Sequence, residues 1–384
     1  RVNFSRGSKR LNGSKDVLNY LKLLTEANKL CSIRGYKTEP EIKNEQKKRG
    51  PLHPYKNLHP WKSVDKFSED LINNIIYNHD GVVVLNKPYG ISNNPPVIKR
   101  QDPNWNTSIG IANSVDYTLS DALPSISKKL GYESLSIVKS PERYKHISGI
   151  AILADNEKKA NNVKKSISHA QSAKKFSSTY WIVTTRLPKC NGGELNLAIT
   201  KKESPCKTYK QVPVILTTWK MNKLKRGEVK TLDISYRTIS NAESNLASLM
   251  EIKCFTTKWH AIRVFASTVL ISPVLGDRIH GSRVKKVMGT YMNISPFVDA
   301  AREMPILDQG LLKKLKLSTE QRVIIPTHIH LRERTLLSFL QHGKDLKLVA
   351  PLPPHFQWTC DQLQFEVPAE NEELLPQLLI SASQ

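Results

Sequence analysis

The chain has 384 residues, 39% hydrophobic and 7% aromatic, a globular balance that allows a sizeable core. Its 58 Lys+Arg against 34 Asp+Glu give a formal net charge of +24, which points to a polyanion such as RNA, DNA or an anionic membrane surface. No apolar run approaches the roughly eighteen residues of a membrane-spanning helix. The five cysteines, Cys31, Cys190, Cys206, Cys254 and Cys360, are scattered without a CxxC pair, which argues against a disulfide framework or a zinc site.

Residues 1–14 are basic, free of acids and without the apolar core of a secretory signal, a composition shared with mitochondrial presequences. Residues 1–65 carry 15 Lys+Arg against 6 Asp+Glu. Within them, Val17 to Leu30 has helical spacing. Lys43 to Pro60 holds Lys47, Lys48, Arg49 and three prolines, which reads as an extended arm lying on something acidic. The expected organisation is a basic N-terminal arm with one helix over residues 1–75, a folded domain over 76–365, and an acidic C-terminal tail over 366–384.

Regular structure then follows in order. Gly81 to Leu85 predicts a buried strand closed by the turn residues Asn86-Lys87-Pro88. Ser120 to Leu130 predicts a helix opening on a serine cap. Ile147 to Ala154 predicts a strand, Glu157 to His169 a helix, Thr179 to Thr185 and Met250 to Phe255 two more strands, and His260 to Thr268 a helix. Asp361 to Gln384, with five acids and no Lys or Arg, predicts a solvated tail. Strands and helices mix without strict βα alternation, so the fold class expected is α/β mixed (α+β) rather than a Rossmann fold. Neither GxxxxGK[ST] nor GxGxxG occurs. His328 and His330 sit two apart on one strand face, and two histidines alone do not make a metal site. No metal and no small-molecule cofactor is expected.

Several segments, taken in order, carry a family resemblance. Val84-Leu85-Asn86-Lys87-Pro88-Tyr89-Gly90 resembles the opening "vNKPxG" strand of the RluA-type pseudouridine synthases. Ser148-Gly149-Ile150-Ala151-Ile152-Leu153-Ala154 resembles the end of their HRLDxxTSGxxxxA motif, and Lys175 to Tyr180 their K-x-Y segment. Thr256 to Arg263 resembles TGRxHQIR, and Pro273-Val274-Leu275-Gly276-Asp277 its "PIxGD" continuation. His328-Ile329-His330 and Ala350-Pro351-Leu352-Pro353 resemble the C-terminal strands. The likeness covers residues 76–365 and is strongest to mitochondrial members with a degenerate catalytic segment. It implies a central, mostly antiparallel sheet with a basic cleft, a mitochondrial matrix location, and mitochondrial RNA as partner. That RNA is rRNA of the large ribosomal subunit, with its assembly factors, or mRNA.

The family uses one Asp as nucleophile or base on a uridine turned out of its stack, an Arg that keeps this Asp ionised, and a Tyr packed on the base. With Ser148-Gly149 fixed, HRLD falls on Pro141-Glu142-Arg143-Tyr144. The catalytic Asp becomes Tyr144, a phenol that stays protonated at neutral pH. Glu142, about 6–7 Å away if extended, is the one plausible substitute. Arg263 and Tyr180 keep the family's Arg and Tyr. Lys258 replaces an Arg and loses its bidentate fork, while Ala261 and Phe265 replace Gln and His. The resemblance therefore implies an RNA-binding, catalytically degenerate homologue, with Lys87, Lys258, Arg263, Lys47, Lys48 and Arg49 as RNA contacts. Without an Asp to meet, Arg263 fits a phosphate contact or a salt bridge to a local acid better than a catalytic role. Two alternatives stand beside this reading: an active RNA pseudouridine synthase using Glu142, and a permanent component of the mitochondrial ribosome.

Overall fold

The computed structural model describes residues 52–95, 114–140, 145–205 and 211–368. Thirteen strands occur among them: β1 (Ile75–His79), β2 (Val82–Lys87), β3 (Ser136–Lys139), β4 (Ser148–Ala154), β5 (Ser178–Thr184), β6 (Gly192–Glu203), β7 (Gln211–Leu216), β8 (Val229–Asn241), β9 (Ser248–Cys254), β10 (Val284–Val287), β11 (Thr290–Asn293), β12 (Ile329–Leu336) and β13 (Leu346–Val349). Eleven form one sheet in the order β1-β2-β4-β12-β5-β9-β8-β6-β7, with β3 on β4 and β13 on β12, while β10 and β11 form a separate hairpin. The helices are α1 (Val64–Asn73), α2 (Leu119–Leu130), α3 (Glu157–Ser172), α4 (Met221–Lys225), α5 (Ala261–Thr268), α6 (Gln309–Lys314) and α7 (Pro354–Gln362). None is long and apolar enough to cross a membrane.

The central strands read as continuous apolar runs because both of their faces are buried. In β2, Val82 and Val84 join one core cluster while Val83 and Leu85 join the cluster on the other face. β4 divides the same way, Ile150 and Ile152 against Ala151 and Leu153. β5 sends Tyr180 and Ile182 one way and Trp181 and Val183 the other. Each buried aliphatic side chain contributes about 1.5–3 kcal/mol, so these three strands anchor the domain. The sheet is antiparallel except where β12 runs parallel to β4, pairing His330 with Ser148 and Leu331 with Gly149. At that junction Gly149 has φ +113, and a Cβ there would drive into the Leu331 carbonyl. Only glycine fits, which explains the Ser-Gly pair of the motif.

The strands and helices expected from Gly81 to Thr268 are present. The cap of α2 falls two residues before the expected Ser120, because Asp121 accepts the Thr118 backbone N–H at 2.7 Å and makes Thr118 the cap residue. Two boundaries move. Residues 52–75 pack into the domain rather than extending the arm: Tyr55 and Phe67 are fully buried, and the Tyr55 hydroxyl lies 2.7 Å from Thr359 Oγ1 on α7. The tail expected from Asp361 starts later, since Leu363 and Phe365 sit in the core beside Phe356. The helix expected at Val17 to Leu30, the cluster Lys47, Lys48 and Arg49, and residues 369–384 of the expected tail lie outside the described residues.

Candidate functional site

The site is built on the link from β9 into α5 and on the segment Pro273 to His280. After β9 the chain turns through a short 3-10 helix, Lys258–His260, in which Trp259 and His260 both have positive φ, at 58° and 60°. Bulky residues hold this conformation at a cost of about 1–2 kcal/mol each, and such strain gathers where a fold serves a purpose beyond packing. The turn starts α5 at Ala261 and sends Arg263 inward, where it is 3% exposed.

Arg263 donates through Nη2 to Asp277 Oδ1, and the two side chains are only 3% and 0% exposed. Asp277 Oδ1 also accepts the Ile279 and His280 backbone N–H groups, each at 3.0 Å. Burial pushes the Asp277 carboxyl up, but the Arg263 guanidinium, the neighbouring His280 and the hydrogen bonds outweigh it and hold the group well below the usual carboxylate range. Gly276, just before it, has φ +80, and a Cβ there would collide with the Pro326 carbonyl. The Gly-Asp pair of "PVLGD" is thus a tight turn that delivers a carboxylate to the motif arginine.

Three imidazoles complete the cluster. His260 Nδ1 lies 2.9 Å from His280 Nε2, so one ring donates to the other. Burial lowers His260 to about 3, and Arg263 adds to the effect. Burial also takes His280 and His146 well below the usual histidine range, with Arg263 pressing further on His146. All three rings are therefore neutral at pH 7. The buried Nδ1 of His146 and of His280 and the Oδ2 of Asp277 have no hydrogen-bond partner among the described residues. The arrangement is one guanidinium balanced by one sequestered carboxylate, with neutral rings around it.

The other expected residues divide by exposure. Lys87 is fully buried, and its ammonium donates to the Ile91 carbonyl at 2.8 Å. The expectation that Lys87 and Arg263 line an RNA groove is therefore corrected, because both cations are consumed inside the fold. Tyr180 is 4% exposed and belongs to the core cluster of Ile182 and Ile252. Tyr144 and Glu142 lie outside the described residues. Lys258 is exposed. Beside it, Lys230 Nζ and Lys201 Nζ stand 5.3 and 5.8 Å from the Trp259 ring centre, a cation–aromatic grouping that extends onto β6 and β8. The motif match drew attention to Lys258 but missed the other three. The available signal was a tryptophan in the variable position of TGRxHQIR.

His328 and His330 each have both ring nitrogens occupied. His328 meets the Pro326 carbonyl and Thr359 Oγ1 at 2.7 and 2.8 Å. His330 meets Ser148 Oγ and the Ala350 carbonyl at 3.0 and 3.3 Å. They are core residues that tie β12 to its neighbours.

Comparison with known proteins places this geometry. No protein-family model matches the chain. The solved structure of human RNA pseudouridylate synthase domain containing 4 superposes with a TM-score of 0.56 at 23% identity, covering 80% of this chain and 98% of that one. The fold is thus that of a pseudouridine synthase. Human mitochondrial mRNA pseudouridine synthase RPUSD3 is 27% identical over 319 residues, 82% of this chain and 83% of its own length. The human protein named pseudouridylate synthase RPUSD4, mitochondrial, is 25% identical over 309 residues, 79% of this chain and 72% of its own length. Over most of its length the chain is thus similar to proteins named as mitochondrial pseudouridine synthases.

Proposed function

We propose that this protein is an RNA-binding homologue of the pseudouridine synthases that has given up catalysis and acts in the mitochondrial matrix on the RNA of the large ribosomal subunit, as a binding or assembly factor. The observation that carries the reading is the pairing of Arg263. In the resemblance, this arginine holds the catalytic Asp ionised. Here the Asp position is Tyr144, and the Arg263 guanidinium meets Asp277 in a pair closed to solvent. A carboxylate without solvent exposure cannot meet a uridine turned out of its stack.

RNA binding is supported by the net charge of +24 and by the exposed Lys258 beside Trp259, Lys201 and Lys230. Lysines hold phosphates and an aromatic ring stacks an unpaired base, the pairing used by proteins that bind single strands. The mitochondrial placement is supported by the names of the relatives.

A second reading, an active pseudouridine synthase on mitochondrial mRNA, is favoured by the name of the RPUSD3 relative. Crosslinking the protein to RNA in cells, with particles separated by sedimentation, distinguishes them. Our reading expects large-subunit rRNA in immature particles. Recovery of mRNA sites favours the second reading. Equal recovery from mature ribosomes makes the chain a permanent ribosomal component.

A further inference from the structure

A second cluster of cations lies outside the Lys258–Trp259 surface. A cavity of about 370 Å³ opens between the Pro273 to Arg278 segment, the β10–β11 hairpin and α6, within the range of small-ligand pockets, about 300–1,000 Å³. Arg186, Arg278, Lys285, Lys286 and Arg322 line it, against the carboxylates Asp277 and Asp308. Both carboxylates are committed elsewhere, Asp277 to Arg263 and Asp308 to the Gly310 backbone N–H at 2.7 Å, where it caps α6. Lys285 is paired with Glu303 at 2.7 Å.

What remains is an excess of positive charge with an aromatic wall. The Arg186 guanidinium lies 3.8 Å from the centre of the Tyr291 ring and donates from Nη1 to the Ile271 carbonyl at 3.3 Å. Its Nε is buried without a hydrogen-bond partner, and no carboxylate meets it among the described residues. Burial lowers its pKa, with Tyr291 opposing. A half-buried cation without a counter-charge is costly to hold, and an arriving anion would relieve that cost. Lys286, exposed on the hairpin, stands 5.7 Å from the same ring.

We propose that this cavity is a phosphate-binding subsite, with Arg186, Lys286 and Arg322 taking a backbone phosphate of the bound RNA strand. A guanidinium seated over a tyrosine ring is held in place, and its N–H groups suit the paired oxygens of a phosphate. Through Asp277 the cavity shares a turn with the Arg263 pair. The inference rests on the RNA-binding reading. It adds a strand contact beyond the Lys258–Trp259 surface.

The test uses the full chain and a single-stranded RNA oligonucleotide, with affinity measured across a salt series and UMP and inorganic phosphate titrated separately. Lys286→Gln with Arg322→Gln removes two rim cations and leaves the buried contacts of Arg186 in place. Arg186→Gln is tested alongside, and melting curves report folding. The proposal expects the double variant to melt like the parent, bind RNA about tenfold more weakly, and lose about 0.7 of salt slope, the value for one phosphate contact on a single strand. Unchanged RNA affinity and slope, with the parent binding RNA, overturns the subsite and leaves the RNA-binding reading intact. Loss of UMP binding without loss of RNA binding also overturns it and assigns the cavity to a free nucleotide. A parent chain that binds no RNA defeats the RNA-binding reading itself.

Discussion

Arg263 and Asp277 are locked together out of solvent, with 3% and 0% of their side chains exposed. Removing one partner of such a pair leaves a buried charge uncompensated and costs about 3–5 kcal/mol. Asp277→Ala and Arg263→Ala should each lower the unfolding free energy by that order, read as a lower urea midpoint. Lys258→Ala, at the exposed start of the turn that Trp259 and His260 complete, should leave the midpoint where it was. Parent-like stability of Asp277→Ala would mean the pair does not organise this segment.

Acid should weaken the fold through its histidines. Burial lowers His59 and His328 to about 4 and His330 to about 3, against an unfolded value of about 6.5. Below that unfolded value the unfolded chain takes up protons that the folded chain refuses. Their stabilising contribution is therefore present above about pH 6.5 and is lost as pH falls from there toward the folded values. Asp277, depressed by its partner, adds a further loss below the ordinary carboxylate range. Urea titrations should give level midpoints from pH 8 to about 6.5 and falling midpoints from there to pH 4.5. A flat profile over that range would contradict the buried, neutral state of these rings.

RNA affinity should follow the exposed turn. Trp259→Ala should weaken single-stranded RNA binding by about 1–3 kcal/mol if a base stacks on the ring, and Trp259→Phe should restore part of the loss. Exchanging Lys201, Lys230 and Lys258 for Gln should flatten the salt dependence, as each lost phosphate contact does. Gel-shift titrations at several salt concentrations give both quantities. A triple variant with the parent's slope would place the binding surface elsewhere.

The N-terminal arm should contribute through charge. Deleting residues 1–51, which include Lys47, Lys48 and Arg49, should weaken RNA binding and flatten the salt slope without changing the melting temperature. Deleting residues 1–65 should also destabilise the protein, because Tyr55 and its contact with Thr359 go with it. An unchanged slope after the shorter deletion would make the arm a passive tail.

The sequence disclosed most where burial was simplest. β2, β4 and β5 are apolar on both faces, so an uninterrupted run such as Val82 to Leu85 marks each of them. β6 escaped notice because only its middle is buried, with Leu197, Ala198 and Ile199 lying between polar ends, β7 because Val212 alone is buried, and β8 because Leu232, Ile234 and Tyr236 alternate with more exposed residues. β12 hides a buried strand under charged lettering: Arg332 and Arg334 are 5% and 2% exposed, and Arg332 donates to the Ala350 carbonyl. Motif spacing located Arg263 and left a phosphate contact or a salt bridge to a local acid open; the structure shows the salt bridge, to Asp277, and its burial rules out the groove. A cation reads as solvent-facing until its partner is known, and Asp277, fourteen positions on, reads as part of a turn. The buried Lys87 misled for the same reason, since its ammonium is satisfied by carbonyls that no side-chain pattern reveals.

The central claim is that the fold is kept and the chemistry is not. Its most direct test is incubation of the pure, full-length chain with mitochondrial RNA, followed by site-resolved detection of pseudouridine, with Glu142→Ala run in parallel. Our account predicts RNA binding and no pseudouridine above the level of RNA alone. Pseudouridine formed by the parent chain and abolished by Glu142→Ala would contradict it and make Glu142 the attacking carboxylate.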